Sequence, residues 1–276
     1  MINIVTIVQA RTSSRRLPNK VLFPLCGEPL LIRMIERIKK SPYAAKLVVA
    51  TSTNIDDDVI ESLCKAHGID CFRGHLTDLL DRHYKVAIHY EADALVKIPS
   101  DCPLIDPKII DKVVNHYIDC YPNFDFVSNL HPASYPDGND VEIMSFRALE
   151  TAWKEASKNF EREHTTPYIW ENPDKFKIGN VLWETGLDFS TTHRWTIDYE
   201  EDYNFIKKVF DELYPKKPTF DLNQILALIV SKPEIAKINQ KYAGKYWYEN
   251  HLNDLRNINE YKLKIIRNEF RNNPIS

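Results

Sequence analysis

Through residue 130 the chain alternates two kinds of segment at regular spacing. INIVTIVQ, KLVVATS, DCFRG, ADALVKIPS and FDFVSN are short apolar runs rich in β-branched residues, and they read as buried strands. Between them lie PLLIRMIERIKK, DDDVIESLCKAHG, TDLLDRHYKVAIHYE and DPKIIDKVVNHYIDC, which carry helical periodicity. In the first of these, Leu30, Leu31, Met34, Ile35 and Ile38 share one face, with Pro29 at the entry. This βαβ spacing predicts an α/β fold with a mostly parallel sheet covered by helices on both faces. Ligands of such sheets bind beyond the carboxyl ends of the strands. Two polar segments fall there: QARTSSRRLPNK after the first strand, and SDCP after ADALVKI.

The pattern changes after about residue 130. HPASYPDGNDVEIMSF reads as a loop feeding a strand, followed by two helical stretches and the strand KIGNVLW. HRWTID is expected to be a last strand and EEDYNFIKKVFDELY a helix. Residues 1–219 are read as one domain, and 220–276 as a helical appendage packed on it or on a partner subunit, Trp247 and Tyr248 included.

The loop from Gln9 to Lys20 holds four cations, Arg11, Arg15, Arg16 and Lys20, and such a cluster repels itself unless an anion sits among it. With 36 basic and 39 acidic residues the chain is net −3, so the cluster is local and a bulk nucleic-acid partner is not expected. The five cysteines are scattered without a C-x-x-C pair, which points away from a zinc site or disulfide framework and toward a reducing cytoplasm. No apolar run approaches the roughly 20 residues that span a bilayer, so no membrane association is expected. Neither glycine-rich phosphate motif occurs; a nucleotide site here must use cationic side chains, with Arg11, Arg15 and Lys20 for phosphate oxygens and Thr12, Ser13 and Ser14 admitting the backbone. The plainer alternative is a surface loop whose arginines pair with nearby acids.

Asp101 and Asp198 each follow an apolar run, where the sheet would aim them at one crevice. Two carboxylates suit Mg²⁺, which takes one or two together with phosphate oxygens and water. Asp198 could instead cap the helix that follows it, and Asp106, before Pro107, reads as a cap.

IVQARTSSRRLPNK resembles the signature I-x-A-R-x-x-S-x-R-L-P-x-K of cytidylyltransferases that activate acidic sugars, the Kdo-type (deoxy-octulosonate) and acylneuraminate enzymes. FRGHLTDLLDRH, DCPLIDP, PDGNDVE, EREHTTPYI, RWTIDYEEDY and INQKYAGKYWY resemble, in order, the spore-coat-polysaccharide-biosynthesis branch of that family. The resemblance implies a Rossmann-like nucleotide-diphospho-sugar transferase fold and Mg²⁺-dependent transfer of CMP from CTP. The acceptor would be an acidic sugar or related small anion, pyrophosphate the leaving group, surface polysaccharide the destination and a homodimer the assembly. Arg11, Lys20, Asp101 and Asp198 would be catalytic, the two aspartates as metal ligands. Gln9, Ala10, Arg11, Ser14, Arg15, Lys20, Arg73 and Asp101 would bind nucleotide. Asp137, Glu142, Arg162, His164 and Arg194 would surround the acceptor, with either arginine on its carboxylate. The remaining eight histidines are expected at the surface or satisfied in the core. Ser100 departs from the family's glycine, and Arg73 has an alternative as the ion-pair partner of Asp78 or Asp81. Rival readings are another NTP, a phosphonate acceptor, or a catalytically silent nucleotide-binding subunit.

Overall fold

The computed structural model describes residues 2–245 together with Leu255. The first half runs β1 (Ile4–Gln9), the small antiparallel pair β2 (Pro24–Leu25) and β3 (Glu28–Pro29), α1 (Leu30–Ile38), β4 (Leu47–Ser52), α2 (Asp58–Ala66), β5 (Asp70–Gly74), α3 (Leu79–His89), β6 (Ala94–Pro99) and α4 (Pro107–Asp119). Then come β7 (Phe126–Ser128), β8 (Glu142–Ser145), α5 (Phe146–Glu155), α6 (Asn159–His164), α7 (Pro167–Trp170), β9 (Ile178–Asn180), α8 (Glu200–Leu213), α9 (Leu222–Ser231) and α10 (Pro233–Lys237).

Seven strands form one sheet in the order β5-β4-β1-β6-β8-β7-β9. The first four are mutually parallel, β8 runs antiparallel between β6 and β7, and β9 returns parallel to β7. Alternation along each strand divides the core between the two faces. Val8, Val49, Val96 and Ile98 pack with α1, α4 and α8 through Met34, Val113 and Phe205. Val5, Ile7, Val48 and Leu95 pack on the other face with α3 and α5 through Val86, Leu149 and Ala152. This is the expected mixed, mostly parallel sheet with helices on both faces.

One expected strand does not form. HRWTID makes a single bridge, Asp137 with Arg194, and no ladder. Its backbone is matched to a turn instead: Asp137 N–H donates to His193 O (2.9 Å) and Trp195 N–H to Asp137 O (2.7 Å). Asp106 does cap α4, accepting from Lys108 N–H at 2.9 Å, and its second oxygen takes the Leu222 N–H at 2.8 Å. Phe220, Leu222, Ile225 and Ile235 belong to the same buried cluster as α1, α4 and α8. Trp247 and Tyr248 lie outside the described residues. No described helix is long and apolar enough to cross a membrane.

Candidate active site

Asp57 shapes the cationic loop. Its Oδ1 accepts from Thr12 N–H (2.8 Å) and Thr12 Oγ1 (2.7 Å), and its Oδ2 from the Ser52 hydroxyl. Burial works to raise this carboxyl, but those hydrogen bonds hold it below the usual carboxylate range. Thr12 O in turn accepts from Ser14 and Asn19 N–H, and Asn19 sits at φ 60°. The loop thus folds over the end of β1 and turns Arg11, Ser14, Arg15, Arg16 and Lys20 into a cleft of about 790 Å³.

At the centre of the cleft Lys20 is 8% exposed. Its Nζ donates to Asp101 Oδ2 (3.1 Å), Asp198 Oδ1 (3.2 Å) and Ile197 O (2.5 Å). Burial pulls its pKa down, and the two carboxylates outweigh that and lift it. Asp198 also receives Arg16 (2.7 Å) and Arg194 (3.0 Å). Burial opposes its ionisation, yet Lys20, Arg16 and Arg194 hold its pKa at about 2. Asp198 does not cap α8: Asp202 accepts the N–H groups of Asp198 (3.0 Å) and Tyr199 (3.1 Å), leaving the Asp198 carboxylate to the cleft.

Further along, over β8, buried Lys97 of β6 pairs with buried Glu142, its register partner on β8. The other Glu142 oxygen accepts from Thr166 Oγ1 at 2.7 Å. His131 stacks on Trp170, ring centroids 4.4 Å apart, and burial lowers the His131 pKa to about 4. Asp137 and Asp140 flank Gly138, whose φ of +100° suits glycine. A Cβ there would stand 2.6 Å from Trp195 C and 2.9 Å from Thr196 N, so the turn lies directly on the backbone that leads to Asp198. Burial raises both carboxyls, aided for Asp137 by Asp140 and for Asp140 by Asp101; Asp140 reaches about 7.

Gln9, Ala10, Arg11, Ser14, Arg15, Lys20, Asp101, Asp137, Glu142, His164, Arg194 and Asp198 border one cleft. Gln9 Oε1 is buried without a hydrogen-bond partner among the described residues. Two expected residues stand elsewhere. Arg73 donates to Ser52 O and Asn54 O and pairs with Asp58 (2.6 Å) and Glu61 (2.9 Å), because β5 lies at the sheet edge beside α2; neither Asp78 nor Asp81 is its partner. Arg162 donates to Asp78 at 2.6 Å and to Trp153 O and Ala156 O, which turns it from the cleft into the packing of α6 on α3 and α5. Arg194 borders the cleft but is 4% exposed and shared among Asp137, Asp198 and Asp202. Neither arginine is therefore placed to take an acceptor carboxylate.

Sequence reasoning missed Arg82, Lys97, His131, Thr166 and Trp170, all of which border the cleft. Lys97 had a signal, a lone cation inside an apolar strand. Arg82 had one only in retrospect, since its guanidinium bonds the backbone carbonyls of Ala50, His75 and Leu76. His131 borders the cleft too, although the eight histidines other than His164 were expected at the surface or satisfied in the core.

A cleft at the carboxyl ends of parallel strands, with a cationic loop facing two convergent carboxylates, defines a nucleotide-handling α/β protein. Comparison with known proteins makes the class specific. A family model described as cytidylyltransferase matches residues 5–248. An uncharacterized protein of Methanocaldococcus jannaschii is 37% identical over 254 residues, 89% of this chain and 98% of the relative. The spore coat polysaccharide biosynthesis protein SpsF of Bacillus subtilis is 29% identical, covering 86% of this chain and 98% of its own. Among solved structures, a cytidylyltransferase from Leptospira borgpetersenii superposes with a TM-score of 0.81 at 33% identity, over 86% of this chain and 97% of that one. A CMP-2-keto-3-deoxy-manno-octonic acid synthetase complexed with CTP shares the fold, at TM-score 0.61 and 16% identity over 76% and 99%. The chain belongs to the cytidylyltransferase family and is a nucleotidyltransferase.

Proposed function

We propose that this enzyme transfers CMP from CTP to a sugar hydroxyl and releases pyrophosphate, with Mg²⁺ as cofactor. The observation that carries the reading is the single ammonium of Lys20 held by both Asp101 (3.1 Å) and Asp198 (3.2 Å) under the loop of Arg11, Arg15 and Arg16. A cation already sits where two hard oxygen donors converge, and the donor set fits Mg²⁺ shared with phosphate oxygens. No cluster of three or more metal-ligating side chains occurs among the described residues, which suits a metal brought in with a nucleotide. Asp101 and Asp198 would hold it, and when bound it supplies Lewis-acid polarisation of the phosphate undergoing attack.

The chain's own groups account for the rest. Arg11, Arg15 and Lys20 neutralise the triphosphate and the charge that builds on the departing pyrophosphate. Gln9 Oε1, buried and unpartnered, matches the exocyclic amine of a cytosine ring, a donor that uracil lacks. Asp57 and Asp202 keep the loop and the Asp198 backbone in place before substrate arrives. Phosphoryl chemistry of this kind relies on position and electrostatics, so no nucleophilic side chain is required.

The test is pyrophosphate release with each of the four NTPs, with and without Mg²⁺, over a panel of sugars, with Asp101→Ala as the control. CTP- and metal-dependent release that falls by about 10²–10³ in the variant is expected. Absence of Mg²⁺-dependent CTP binding by calorimetry would sink the reading.

A further inference from the structure

A cation reaches the cleft from a part of the chain that the CMP-transfer reading leaves unused. Lys245 borders the cleft although it lies more than two hundred residues beyond the cationic loop. Among the described residues it pairs with no carboxylate; its ammonium lies 5.4 Å from the centre of the Tyr242 ring.

A strap of residues 239–245 puts it there, and the strap is fastened to the segment that carries Asp198. Asn239, itself buried, donates from Nδ2 to Arg194 O (2.9 Å) and to Asp202 Oδ1 (2.9 Å). Tyr242 stacks on Tyr199 with ring centroids 4.0 Å apart and planes at 10°. Arg16 of the cationic loop reaches the same Tyr199 ring at 5.6 Å, so strap and loop meet across one side chain. Gly244, at φ +79°, brings the backbone down on Thr191: a Cβ there would stand 3.2 Å from Thr191 O. Arg194 Nη1 then donates to the Lys245 carbonyl at 3.0 Å. The Lys245 backbone is therefore fixed beside Arg16, Arg194 and Asp198 before any ligand enters, which lowers the ordering cost of using its ammonium. Lys20 and Arg16 must share themselves between a phosphate and the carboxylates that already hold them. Lys245 has no such competitor, and a charge-assisted hydrogen bond from it is available in full.

We infer that Lys245 binds a phosphate of the nucleotide and that residues 239–245 are part of the active site. The inference rests on the CMP-transfer reading and extends its phosphate-binding set to the far end of the chain.

The experiment uses the full chain with Mg²⁺ and reads the calorimetric Kd of CTP, with CMP beside it, together with the melting temperature. Lys245→Met removes the charge at nearly constant length, and Lys245→Arg restores it. Lys241→Met is the control on the same strap: Lys241 pairs with Glu201 (2.6 Å) and lies over the same Tyr242 ring (4.9 Å) without bordering the cleft. Lys245→Met is expected to weaken CTP about tenfold, the worth of one hydrogen bond to a charged group, at an unchanged melting temperature. Lys245→Arg should stay within about threefold of wild type, and Lys241→Met within about twofold. A loss for CTP that exceeds the loss for CMP assigns Lys245 to the β- or γ-phosphate, and equal losses to the α-phosphate. Unchanged CTP affinity in Lys245→Met overturns the inference, whatever that variant does to acceptor turnover. So does an equal loss in Lys241→Met, or a loss that arginine does not recover, because either outcome describes a strap that braces α8 without using the Lys245 charge. A wild-type protein that binds no CTP is a separate result: it removes the parent reading, and this inference with it, before any variant is made.

Discussion

The two ends of the cleft are built by opposite means. The end of the cleft proposed for nucleotide is supplied by a single continuous stretch, Gln9, Arg11, Ser14, Arg15, Arg16 and Lys20, in which Arg15 and Arg16 are exposed while Lys20 is buried on Asp101 and Asp198. At the other end, Lys97, Asp140, Glu142 and Thr166 come from β6, a turn, β8 and the segment before α7, and Lys97 and Glu142 are buried and paired. The first sets exposed guanidinium groups around one buried, paired ammonium. The second has buried most of its charge in the Lys97–Glu142 pair.

The sharpest way to break this contrast is at the Lys97–Glu142 pair. Glu142→Ala leaves a buried ammonium without its partner and is expected to cost about 3–5 kcal/mol in denaturant unfolding. Replacing both residues together, Lys97→Met with Glu142→Leu, should recover most of that loss; a double variant as unstable as the single one would show that the pair is not the source.

Acid titration compares the two ends by sign. Asp198 is held at about 2 in the folded protein, below its unfolded value, so its stabilisation is full above about pH 4 and is lost as pH falls toward 2, on the order of 2 kcal/mol. Asp140 is raised to about 7, so its contribution is full below about pH 4 and is lost as pH rises through 7. Asp198→Asn should flatten the acid limb of the stability profile, and Asp140→Asn the limb between pH 4 and 7. Urea midpoints across pH 2–8 check both, and identical slopes in wild type and Asp140→Asn would contradict the second.

The smallest effect is expected at Arg73. Its partners Asp58 and Glu61 are half exposed, and it stands outside the cleft. Arg73→Ala should cost less than about 1 kcal/mol and leave CTP affinity within about twofold, read by thermal shift and calorimetry.

The parallel half of the sheet was legible because each strand is a compact β-branched run and each helix shows its own periodicity, as in Leu30, Met34 and Ile38. The cationic loop was legible because its charges are contiguous. Arg73 and Arg162 were misplaced because the same motif string does not say which side of a chain a guanidinium leaves from; edge position and the acids on α2 decided the first, and Asp78 the second. HRWTID has strand composition, but strand formation needs a free neighbour, and the Pro136–Gly138 turn took that place. Lys97, His131 and Trp170 are separated by tens of residues and meet only through the antiparallel β8 insertion, which no local pattern announces.

Gly138 has a consequence for how enzymes of this shape diversify. With only 2.6 Å between a would-be Cβ and the Trp195 carbonyl carbon, the turn bearing Asp137 and Asp140 is seated on the segment that ends in Asp198, as one jaw riveted to another. Lengthening that turn would push against the segment that carries Asp198, so the frame tolerates exchanged side chains more readily than a changed turn length.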